Sequence, residues 1–100
     1  MSATIRFVGI QDAPPGYHVP LVASFEIRRA DGGEYHLYVA VQLGEHGWSG
    51  RNPVWGWDGN REAPTLTPSI RSPLGQDGLF HCFLQRGVVR PCGDNQLTIL

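Results

Sequence analysis

The stretch LVASFEIRRADGGEYHLYVAVQL, residues 21–43, decides the fold class. From Leu21 to Arg29, Ala23, Phe25 and Ile27 fall on one side, while Val22, Ser24, Glu26 and Arg28 fall on the other. That two-residue period belongs to a strand with one buried face. Asp31-Gly32-Gly33 supplies a turn in which glycine takes positive φ without steric cost. Glu34 to Leu43 answers with Tyr35, Leu37, Val39, Val41 and Leu43 on one face, and His36, Tyr38, Ala40 and Gln42 on the other. The pattern predicts an antiparallel hairpin with Phe25, Ile27, Leu37 and Val39 buried.

On the N-terminal side, Ala3 to Ile10 reads as a further strand, and Pro14-Pro15-Gly16 breaks the chain between Gln11 and His18. On the C-terminal side, Gly44 to Asn52 reads as a loop carrying Trp48. Next comes NPVWGWDGNREAPTLTPSI, residues 52–70. Its alternate tryptophans, Trp55 and Trp57, share one face of an extended strand. Asp58-Gly59-Asn60 is a turn, and Thr65 to Ile70 is a short strand that Pro64 and Pro68 confine to an edge or an irregular path. Pro68 also fixes its own φ and biases the residue before it towards extended geometry, so Ser69 sits in a stiffened segment. Arg71 to Gly78 reads as a loop. Leu79 to Gln85 and Val88 to Arg90 fold together across Arg86-Gly87, and Gln96 to Leu100 closes the chain. No stretch has a helical period, and 13 glycines with 8 prolines punctuate every segment. The expected architecture is all-β, a small antiparallel sandwich or partly open barrel, with residues 1–100 as a single domain.

Composition narrows the function. Apolar residues make up 41% and charged residues 17%, which is ordinary globular material. A formal net charge of −1 and the lack of a basic stripe argue against nucleic acid. No window approaches the roughly 20 apolar residues of a membrane helix, and the N-terminus lacks the pattern of a signal peptide. Two cysteines without such a signal suggest a reducing compartment.

Three clusters could carry chemistry. His81-Cys82 with Cys92 suggests a metal, but zinc wants about four ligands, and adjacent residues in a strand point to opposite faces. Cys82 shares its face with Phe80 and Leu84, where a thiol acts as a small hydrophobe. No metal and no cofactor are therefore expected, and both thiols are expected to be reduced. Ser69, His81 and Asp94 form the second cluster. A serine nucleophile needs a base to take its proton and a third group to hold the imidazole. On spacing alone this triplet is weak. His18, His36 and His46 have no evident partner. Trp48, Trp55 and Trp57 either fill the core or line a ligand groove, and the core is the favoured reading.

From Trp55 to Ile70 the chain reads W-x-W-x-G-N-x-E-x-P-T-x-x-P-S-I. This motif resembles a family of short domains of unknown function found in phage and prophage genomes, often mislabelled ammonia monooxygenase. Its members continue with Cys-His-x-Phe, a glycine turn and an Asp-Cys pair. Here His81, Phe83, Gly87 and Asp94 match, while Phe80 and Asn95 stand where the family has cysteines. A family-wide cysteine or zinc role therefore has no residues to rest on. The resemblance covers Trp48 to Asn95 and extends to the BubE-type component of bacterial ubiquitin-like operons, for which a serine-peptidase role is implied. That implies Ser69 as nucleophile, His81 as base and Asp94 as orienting group. Trp55, Trp57, Asn60 and Glu62, all in the motif, make up the candidate ligand-binding set. The alternative is a non-enzymatic phage protein, a virion component or host-defence antagonist that binds a protein partner or its own copies. Either form is expected in the host cytoplasm, or associated with virions.

Overall fold

A computed structural model describes residues 3–100 and shows the expected hairpin. Strands β2 (Leu21–Arg28) and β3 (Glu34–Leu43) pair antiparallel, with Phe25 opposite Leu37 and Ile27 opposite Tyr35. The turn closes where Arg29 N–H donates to Gly33 O at 2.7 Å and Gly33 N–H donates to Asp31 Oδ1 at 2.9 Å. Phe25, Ile27 and Val39 are buried as predicted. Leu37 is only half-buried, and it lines a cavity.

The protein is all-β, two layers of sheet. The larger sheet adds β1 (Thr4–Asp12), β4 (Gly47–Ser49), β5 (Asn52–Trp57), β6 (Leu66–Thr67) and β10 (Thr98–Ile99). Its order is β10-β1-β2-β3-β5-β4, and β6 also pairs with β5. The smaller sheet is β7 (Ile70–Pro73), β8 (Leu79–Gln85) and β9 (Val88–Pro91), in that order. Two pairings, β1 with β10 and β3 with β5, are parallel, so the sandwich is mixed rather than wholly antiparallel. The expected loop at Gly44–Asn52 contains β4, and the expected loop at Arg71–Gly78 holds most of β7 and a 3₁₀ turn at Gly75–Asp77.

The two layers meet through aromatic packing. The rings of Phe25 and Phe80 lie 5.4 Å apart, tilted by 59°, and Phe7 also packs on Phe25 at 5.3 Å. Ile5, Leu66, Ile70, Cys82, Leu84 and Trp57 complete the core. A second, smaller buried patch lies on the reverse face of the large sheet, where Val22, Ser24, Ala40 and Val54 are buried although the alternation places Val22, Ser24 and Ala40 outside. The β1–β2 connection folds back over this face. Tyr17 packs edge-on against Tyr38 at 6.0 Å, and Ser49 Oγ donates to the His18 carbonyl at 3.0 Å. Gly56, between the two tryptophans, has a steric cause: a Cβ there would sit 2.4 Å from Gly44 O and 2.9 Å from His46 N.

Phe80→Ala removes the ring that joins the layers and is expected to cost about 3–5 kcal/mol in urea denaturation. Phe83→Ala, on the exposed face of the same strand, is expected to cost no more than roughly 0.5 kcal/mol. Equal losses for the two would contradict this packing.

Candidate active site

Strand β8 sets the site by its period. Phe80, Cys82 and Leu84 are buried at 0–1% exposure, so His81 and Phe83 must face away from the core. The register places Ile70 opposite Cys82 and Arg71 opposite His81. Ser69 immediately precedes β7, in the crossing between β6 in one sheet and β7 in the other. A cis Thr67–Pro68 bond lies in this crossing. The Trp55 indole N–H donates to the Ser69 carbonyl at 3.1 Å and ties the crossing to β5.

Ser69 Oγ lies 3.2 Å from His81 Nε2, and His81 Nδ1 lies 2.6 Å from Asp94 Oδ1. A carboxylate only accepts hydrogen bonds, so Nδ1 carries the proton shared with Asp94. In the neutral ring Nε2 is then the acceptor for the Ser69 hydroxyl. That is the tautomer a general base requires. The hydrogen bond from His81 holds the Asp94 carboxyl below its ordinary value of 3.8, with a smaller contribution from the Arg71 guanidinium.

Asn95, which stands where the family has a cysteine, holds this arrangement. Its Oδ1 accepts from His81 N–H at 3.1 Å, and its Nδ2 donates to the Leu97 carbonyl at 2.8 Å. Cys92 N–H donates to His81 O at 2.9 Å. Both sides of the His81 peptide are thus fixed to the turn that presents Asp94. An Asp-Asn pair in a glycine turn hinted at this, but nothing in the sequence said which backbone the amide would meet.

The candidate ligand-binding residues separate. Trp55 is half-buried beside Ser69. Trp57 is buried, and its indole donates to the Asn60 carbonyl at 3.2 Å. Asn60 Oδ1 accepts from Glu62 N–H and Ala63 N–H, so Asn60 builds the turn. Trp48 is 71% exposed, outside any core. Cys82 and Cys92 are free, and burial pushes the Cys82 thiol up to about 11. Among the described residues, no three of His, Cys, Asp and Glu are grouped as metal ligands. A cavity of about 160 Å³ opens beside the site, bounded by Trp55, Ile70 and Arg71.

Because its folded-state pKa is lowered, Asp94 stabilises the fold above its ordinary value, and this contribution is lost as pH falls through the lowered one. Thermal denaturation of the wild type and Asp94→Asn should therefore show a gap at pH 5 that closes as the pH drops below 3.8. A gap independent of pH would contradict the His81–Asp94 pairing.

A family model described as the bacterial ubiquitination-like system serine protease (BubE) matches residues 32–92. The match starts in the β2–β3 turn, earlier than the resemblance read from Trp48 onward, and stops short of Asp94. No curated protein and no solved structure matches the chain. A match over more than half of the chain, enclosing both Ser69 and His81, shows that this chain belongs to the BubE family.

Proposed function

We propose that the chain is a serine-dependent peptidase acting within a bacterial ubiquitination-like system. The observation that carries this reading is the continuous relay from Ser69 Oγ through His81 to Asp94, at 3.2 and 2.6 Å. In this mechanism His81 Nε2 takes the hydroxyl proton as Ser69 Oγ attacks the scissile carbonyl. The imidazolium formed is stabilised by Asp94 and passes its proton to the leaving amine, which departs and leaves an acyl-serine. Water, deprotonated by the same nitrogen, then releases the acid and restores Ser69. Main-chain N–H groups near Ile70 are the candidates for holding the oxyanion. The partner in this reading is a protein substrate.

The reading supposes that the groups are held before substrate arrives, which is where much of the rate comes from. The Trp55 indole holds the Ser69 peptide, and Asn95 holds that of His81.

A second reading, a non-enzymatic binding module such as a virion component or host-defence antagonist, has one observation in its favour. Leu43 and Trp48 leave large apolar side chains 70% and 71% exposed, surface that a protein partner would cover.

A fluorophosphonate probe separates the two. Labelling of the wild type should vanish in Ser69→Ala and slow by roughly 10³-fold or more in His81→Ala. In Asp94→Asn it should slow by up to about 10⁴-fold, through loss of the correct tautomer. A folded wild type that takes up no label leaves the binding module as the better reading.

A further inference from the structure

Strands β3 and β5 run parallel but pair only from Val41 to Leu43, opposite Trp55 to Trp57. Towards their N-terminal ends they part, and Pro53, which has no N–H to offer, lies where the pairing has ceased. Among the described residues, one edge of β3 is therefore left without a partner strand before Val41. Across the gap, β7 is an edge strand of the small sheet, paired among the described residues only with β8. The 160 Å³ cavity fills this fork. Its walls include two runs of consecutive residues, Leu37–Ala40 of β3 and Ile70–Ser72 of β7. Consecutive residues line a space only when it runs along the strand edge, because side chains alone would contribute every second position.

We infer that this fork is the substrate site: an extended peptide lies along the free edge of β7 and places one apolar side chain in the cavity. The inference rests on the peptidase reading and deepens it by naming the substrate class. Edge strands bind extended peptides because alternate residues present unpaired N–H and C=O groups, while pockets for alternate side chains give selectivity. The size fits one side chain. A cavity of about 150 Å³ accommodates a benzene ring, whereas drug-sized ligands take roughly 300 Å³ or more. The walls are apolar for the most part, through Leu37, Val39, Ile70 and Trp55, with His18, Asn52 and Arg71 as polar lining. A peptide paired with β7 meets Ser69 directly, because that residue adjoins Ile70 and its carbonyl is held by the cavity-wall Trp55. At about 3.3 Å per residue, the cavity walls at Ile70–Ser72 lie within three residues of Ser69, so the selected side chain should flank the cut.

Two measurements test this. Random decapeptides incubated with the wild type should be cut with Leu, Met or Phe enriched about ten-fold over Asp and Lys at one position near the bond, read by mass spectrometry. Leu37→Ala enlarges the cavity and should raise cleavage beside Trp relative to Leu, a ratio read within one variant and so independent of its overall activity. The second measurement uses Ser69→Ala, titrated with a Phe-containing decapeptide and followed by amide shifts. Shifts confined to Leu37–Ala40 and Ile70–Ser72 support the site, even if the wild type takes up no fluorophosphonate, in which case only the catalytic reading falls. Probe labelling of Ser69 with shifts elsewhere, or cleavage indifferent to apolar residues, overturns the inference and leaves the peptidase in place.

Discussion

The alternation along β8 is the constraint on which the rest depends. Burying Phe80, Cys82 and Leu84 stabilises the packing of the small sheet against the large one, and it leaves His81 only the outward face. The fold therefore presents an imidazole at the surface as a by-product of closing its core. The same alternation explains why the adjacent Cys82 cannot join His81 at one site. Its thiol points into the hydrophobic layer, where desolvation opposes the thiolate that nucleophilic or metal chemistry would need.

Placing a hydroxyl against that imidazole is a separate problem, solved by the crossing between sheets. β6 ends in the large sheet and β7 begins in the small one, and Pro68 and Ser69 are the two residues between them. Each neighbouring strand is pinned by its own ladder, β6 to β5 and β7 to β8, while the Trp55 indole satisfies the Ser69 carbonyl. Few degrees of freedom are left to the serine. The motif residues around it share this division of labour. Asp58 Oδ1 accepts from Asn60 N–H and Thr65 N–H, Trp57 fills the core, and Trp55 and Ile70 face the cavity.

What could be read from the sequence was what local rules govern. The hairpin at residues 21–43, the outward His81, the inward Cys82 and the turn at Arg86-Gly87 follow from a two-residue period and from glycine in tight turns; Arg86 and Gly87 have φ of 50° and 77°. Less could be read wherever burial depends on a distant segment. Ala40 and Val22 are buried because the β1–β2 connection returns across their face, and alternation within one strand carries no information about that. The parallel pairings of β3 with β5 and β1 with β10 join segments whose register no turn specifies. For the site, the motif gave Ser69 and His81. The part played by Asn95 came only with the tertiary structure.

The family match raises a question of how large the working unit is. Residues 32–92 contain Ser69 and His81, but they leave out β1 and β2. Those strands supply Ile5, Phe25 and Ile27, and Phe25 is the ring that packs on Phe80. Without it β8 would lose the apolar contact that orients its inner face, and with that the reason for His81 to point outward. Asp94 also lies outside the matched residues, in the turn leading to β10, which pairs with β1. The matched segment thus carries the serine and histidine, while the flanking residues supply the packing that holds them and the carboxylate that orients the ring. A relay of this kind depends on both. Ser69 and His81 come from the family stretch, but their mutual geometry is a property of the whole sandwich.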